Sequence, residues 1–149
     1  MNQLTTQSLY EQDFALWIDD TVAKLKARKF EQIDLENLIE EIESLGKSDR
    51  REIKSRLVVL LAHILKRVYI DSTDDNRSWR NTIDEQRREL IAVLEDSPSL
   101  KNHFEAVFDA AYQTALSMVR KDYKRAEFPD EWQFDRSVDS ILTQTFWKE

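Results

Sequence analysis

An all-α fold is predicted by three observations: apolar residues recur at helical spacing along most of the chain, glycine occurs once, and proline occurs twice. Scarce helix breakers favour long helices joined by short turns. The expected architecture is a single-domain bundle of about five to six helices over residues 1–149, around a central hydrophobic helix at about residues 50–70, with residues 1–9 flexible.

The central helix is read from EIKSRLVVLLAHILKRVYI, residues 52–70. Ile53, Leu57, Val58, Leu60, Leu61, Ile64, Leu65, Val68 and Tyr69 cover roughly half the helical circumference, a face too wide for a single neighbour. Its longest charge-free run is the nine residues 57–65, whereas a membrane span needs about 20 apolar residues. No membrane partner is therefore expected.

The remaining elements follow in order. Phe14, Trp17, Ile18, Val22 and Leu25 predict a first helix over residues 13–28, with Ser8 and Glu11 at capping-box spacing upstream. A second helix starts at Asp34, an N-cap residue type, and carries Leu35, Leu38, Ile39, Ile42 and Leu45. Gly46 then reads as its C-cap, and Asp49 with Glu52 as the box that restarts the chain, so the simplest geometry is an antiparallel pair, with a kinked continuation as the alternative. Residues 71–76 are rich in turn formers. A fourth helix is predicted over residues 78–95, and Ser97-Pro98 marks the start of a fifth over residues 98–124. Phe128-Pro129 must turn the chain. Trp132 and Phe134 then cover the core, and Val138, Ile141 and Leu142 form a short last helix.

Composition excludes several chemistries. The chain has no cysteine, so disulfides, thiolate metal sites and cysteine nucleophiles are absent. With Gly46 alone, neither a P-loop nor a G-x-G-x-x-G turn nor a G-x-S-x-G elbow can form. The net charge of −7 disfavours general binding to phosphate backbones. The amino terminus, MNQLTTQSLYEQDF, lacks the basic start and apolar run of a signal peptide, and a cytoplasmic location is expected.

The succession DLENLIEEIESLG (residues 34–46), SRLVVLLAHILK (55–66), SWRNTIDEQRREL (78–90) and SPSL (97–100) resembles the DUF29 family of small helical proteins of unknown function, found mainly in cyanobacteria. The resemblance extends from residues 10–17 to the Phe128-Pro129 turn. It implies an all-helical fold and a bacterial, cytoplasmic setting, and it brings no catalytic residue. Where the family usually has a proline-containing segment after Phe-Pro, this chain reads EWQFD.

Four groups of residues stand out as candidates. Glu36, Glu40 and Glu43 line an acidic flank whose like charges call for cations, and Arg50, Arg51, Lys54 or Arg56 of the next helix would supply them. His63 occupies the polar stripe of the central helix among Arg56, Lys66 and Arg67, which favour its neutral form. Gln86 interrupts the apolar arc of the fourth helix, where an unpaired buried amide would cost about 1 to 3 kcal/mol. A hairpin between the third and fourth helices predicts a polar network of His63, Thr82 and Gln86, with Arg87 at its rim. Lys47, Arg50, Arg51 and Lys54 form a basic surface; further clusters lie at Arg77, Arg80, Arg87 and Arg88 and over residues 120–125. A solvated, salt-bridged face is the simplest account of them.

No H-E-x-x-H motif or Glu-x-x-His pair is present, and neither a metal nor a cofactor is read. The leading expectation is a non-enzymatic interaction module that binds a protein partner or itself through apolar residues left on the first helix, the fifth or the tail. The alternatives are a nucleic-acid-associated or antitoxin-like regulator using the basic clusters, and a small metal-dependent or hydrolytic enzyme built on Glu40, His63 and Gln86.

Overall fold

The fold was obtained as a computed structural model, which describes residues 8–148. Among these, six α-helices form: α1 (Leu9–Gln12), α2 (Phe14–Lys26), α3 (Leu35–Tyr69), α4 (Asn76–Asp96), α5 (Lys101–Asp122) and α6 (Val138–Thr143), with 3-10 turns at Phe30–Gln32 and Pro98–Leu100 and no strand. No helix is long and apolar enough to cross a membrane among the described residues. The sequence reads as one domain; the contacts gather into two compact units, Met1–Lys47 and Ser48–Glu149.

One element departs from the sequence reading. The predicted pair of helices at residues 34–46 and 49–70 is a single 35-residue helix, α3. Gly46 has no positive φ and therefore no left-handed cap conformation. Helix formers flank it on both sides. Passing through one glycine costs about 1 kcal/mol, whereas ending and restarting a helix would orphan backbone groups at two new termini.

In the first unit, Ser8 caps α1, its Oγ accepting from the Glu11 amide at 3.3 Å. Ser8 and Leu9, the last residues of the segment expected to be flexible, belong to this capped helix, and residues 1–7 lie outside the described residues. Asp13 caps α2 by accepting from the Leu16 amide at 3.1 Å. The helix ends in a Schellman turn: the Lys29 amide donates to Lys24 O at 2.9 Å and the Arg28 amide to Leu25 O at 3.1 Å. Arg28 takes the left-handed position of that turn, at φ 59°. Asp34 opens α3, accepting from the Asn37 amide at 3.3 Å.

The second unit is built around residues 52–69 of α3. Ile53, Leu57, Leu60, Leu61, Ile64 and Leu65 are wholly buried, and Val58, Val68 and Tyr69 pack half-buried against the same cluster. α4 adds Ile83, Leu90 and Leu94, and α5 adds Phe104, Phe108, Ala111, Tyr112, Ala115, Leu116 and Val119. The hydrophobic helix is enclosed on most sides, as its wide apolar face requires. Pro98 opens a 3-10 turn before α5, and Ser97 makes no side-chain cap.

The Phe128-Pro129 turn is tied down from α5. Tyr112 donates to Pro129 O at 2.6 Å, and Arg120 donates to Phe128 O at 2.9 Å. Beyond it, Trp132 packs edge-on against Phe108 and Tyr112, with centroids 5.8 and 5.9 Å away. Phe134 packs edge-on against Trp132 in turn. Ser137 caps α6, which buries Ile141 and Leu142.

Candidate docking site

The described hydrogen bonds take the polar residues nominated from sequence to partners other than one another. The His63 ring bonds Val59 O, one turn back, through Nδ1 at 2.8 Å. Its Nε2 lies 3.4 Å from the Lys66 ammonium. Burial holds its pKa below the ordinary value, a downward push that Lys66 reinforces and the Val59 carbonyl opposes. Thr82 donates back to Ser78 O at 3.3 Å.

Gln86 is only half-buried, and its Oε1 accepts from Arg56 Nη1 at 3.2 Å. Arg56 is itself held by Glu52 at 2.7 Å and by Glu89 at 3.7 Å. Arg87 turns to the carboxyl-terminal segment instead, donating to Ile141 O at 3.0 Å and Gln144 O at 2.6 Å. Its guanidinium lies 5.9 Å from the Trp147 ring. Arg87 therefore fastens the end of α6, a role with no local sequence signal because its acceptors lie 54 and 57 residues away.

The charged candidates are exposed: Glu36, Glu40 and Glu43, and Lys47, Arg50, Arg51 and Lys54. The continuity of α3 removes the helix-to-helix pairing expected between them, since they succeed one another along a single helix. Glu40 belongs to the first unit, whereas His63 and Gln86 belong to the second. Among the described residues, no three His, Asp or Glu side chains are grouped to hold a metal.

The first unit carries a different kind of feature. Among the described residues, eleven large apolar side chains are exposed, and ten of them fall between Phe14 and Leu45; the other is Met118. On α2, Phe14, Ile18, Val22 and Leu25 are 38 to 45% exposed, and on α3, Leu35, Ile39, Ile42 and Leu45 are 48 to 70% exposed. Together with Trp17 and Leu38, side chains from both helices line a trough of about 290 Å³, whose polar members are Thr21 and Glu41.

The cause lies in the width of the stripes. α2 buries only Trp17 and Thr21, and the first half of α3 buries no side chain at all. Each helix has a wider apolar arc than one neighbour can cover. That width was the readable signal: the sequence reading left apolar residues over on the first helix, the fifth or the tail, and did not nominate the stripe that begins at Leu35.

Beside the trough, the Tyr10 hydroxyl donates to the Glu41 carboxylate, and its ring packs edge-on against Phe14 and Trp17, with centroids 5.7 and 4.8 Å away. Donation to Glu41 pushes the phenol up to about 12. Chemically the trough can take apolar side chains from a partner.

No curated protein and no solved structure matches the chain. The family model described as a domain of unknown function, DUF29, matches residues 9–147, and the chain belongs to that family.

Proposed function

We propose that this protein is a non-enzymatic helical interaction module of the bacterial cytoplasm, and that its docking surface is the apolar trough between α2 and the first half of α3. The observation that carries this reading is the confinement of ten of the eleven exposed large apolar side chains to residues 14–45. Contiguous exposed apolar surface in a water-soluble chain marks a place where another surface binds. The absence of cysteine and of any membrane-crossing helix among the described residues supports the cytoplasmic setting.

The test compares wild type with Leu25→Asp and Ile42→Asp, both at exposed positions, purified natively from the source cell and weighed by light scattering. Wild type is expected to carry bound protein, whether another chain or a second copy, and both variants are expected to lose it. Identical assemblies in all three proteins would end the proposal.

A further inference from the structure

We infer that the second unit holds a pocket for a small zwitterion, an α-amino acid with an aromatic side chain, where the turn between α3 and α4 meets the carboxyl-terminal segment. The site lies within Ser48–Glu149 and is independent of the docking reading above.

Three stretches of chain build the pocket. Residues 67–71 close α3 and enter the turn, Asn76 opens α4, and Phe134 with residues 146–148 come from the tail. Arg87 fixes the tail there through Ile141 O and Gln144 O. Phe146 packs against Trp132 and Phe134, with centroids 5.3 and 5.1 Å away. Trp147 is 7% exposed, and the Arg67 guanidinium lies 5.5 Å from its ring. The volume is about 780 Å³, inside the range of roughly 300 to 1,000 Å³ usual for small-molecule sites.

The decisive observation is a set of unmet hydrogen bonds. Among the described residues, the buried side-chain atoms without a partner are Arg67 Nε, Asn76 Oδ1 and Trp147 Nε1. All three belong to residues that line this one pocket. A buried polar group left unpaired bears the full cost of its desolvation, and native proteins keep few of them. Their convergence marks the place of a ligand that bonds them. Neighbouring atoms cover all three, so a ligand reaches them through side-chain rotations in the wall, which commonly accompany binding.

Hydrogen-bonding capacity then names the class. Guanidinium and indole N–H groups only donate, and an amide oxygen only accepts, so the ligand presents acceptors and a donor together. A carboxylate takes the bonds of Arg67 and Trp147, with Lys148 adding positive charge to the lining. An ammonium group meets Asn76 Oδ1, with Asp71 adding negative charge. Both signs on one wall suit a zwitterion better than a simple acid. Val68, Tyr69, Ile70, Phe134 and Phe146 supply the rest of the lining, an apolar and aromatic surface against which a ring packs edge-on or offset.

The experiment titrates the full chain calorimetrically with L-phenylalanine, with phenylpropionate, which lacks the ammonium group, and with phenylalanine amide, which lacks the carboxylate. L-Phenylalanine is expected to bind about tenfold more tightly than either, the effect of losing one charged hydrogen bond. Asn76→Leu is expected to bring L-phenylalanine down to the level of phenylpropionate and to leave phenylpropionate unchanged. Arg67→Gln is expected to weaken both acids and to affect the amide least. Retained binding of phenylpropionate in the first variant, and of the amide in the second, shows that the pocket has kept its shape. Equal affinity for the three compounds, binding of none, or wild-type affinity for L-phenylalanine in both variants overturns the inference. The comparison of ligands on wild type decides it alone if a variant fails to fold.

Discussion

Single residues record where local chemistry overrode the simplest pattern. Arg28 occupies the left-handed position of the turn that ends α2, a conformation that costs an L-residue about 1 to 2 kcal/mol and glycine almost nothing. Glycine returns about 0.4 to 1 kcal/mol through the entropy of the unfolded chain. Arg28→Gly is therefore expected to raise stability by up to about 1 kcal/mol, read as a higher urea midpoint with an unchanged slope. A clear loss would mean that the guanidinium contributes more than its backbone costs. Gln86 shows how much a single position can reveal. Its place in an apolar arc marked it as needing a partner, and it has one. Which partner was invisible, because Arg56 is thirty residues away on another helix and nothing in either local segment encodes the pairing.

Among the elements, α3 separates what a sequence shows from what it hides. Leu57, Leu60, Leu61, Ile64 and Leu65 were legible as core because burial is written in the spacing of apolar side chains along one helix. The continuity through Gly46 was not, because the same glycine is an excellent cap when a helix stops and only a modest burden when it continues. The two cases predict opposite results for Gly46→Ala. In a helix interior, alanine gains about 0.5 to 1 kcal/mol, whereas at a left-handed cap it would lose a similar amount or more. Thermal and urea denaturation are expected to show the gain. The tail was likewise only partly readable: the turn at Pro129 follows from the residue before proline, but the hydrogen bonds from Tyr112 and Arg120 that hold it depend on tertiary placement.

For the molecule as a whole, acid stability tests the environment of His63. Its pKa is lowered from 6.5, first by burial, and Lys66, 3.4 Å from its Nε2, is the cation that faces it. The unfolded chain thus takes up a proton at a pH where the folded one does not. The stability from this group is fully present above 6.5 and falls as the pH drops below it. Urea midpoints measured between about pH 7 and 5 are expected to decline in wild type and to decline less in His63→Gln. Asp135, lowered by bonds from the Ser137 amide and the Ser140 hydroxyl, acts near the carboxylate value of 3.8 and leaves this window undisturbed. Equal slopes in both proteins would place the pH sensitivity elsewhere.

The uncovered groove of the first unit also bears on how much of this protein a cell can keep. Surplus molecules without a mate display greasy side chains of the sort that chaperones retain and proteases degrade, and small shifts in such triage alter abundance severalfold. If the groove binds a partner as proposed, steady-state levels are expected to follow that partner's supply, and stoichiometry would then be set by turnover without a dedicated regulator.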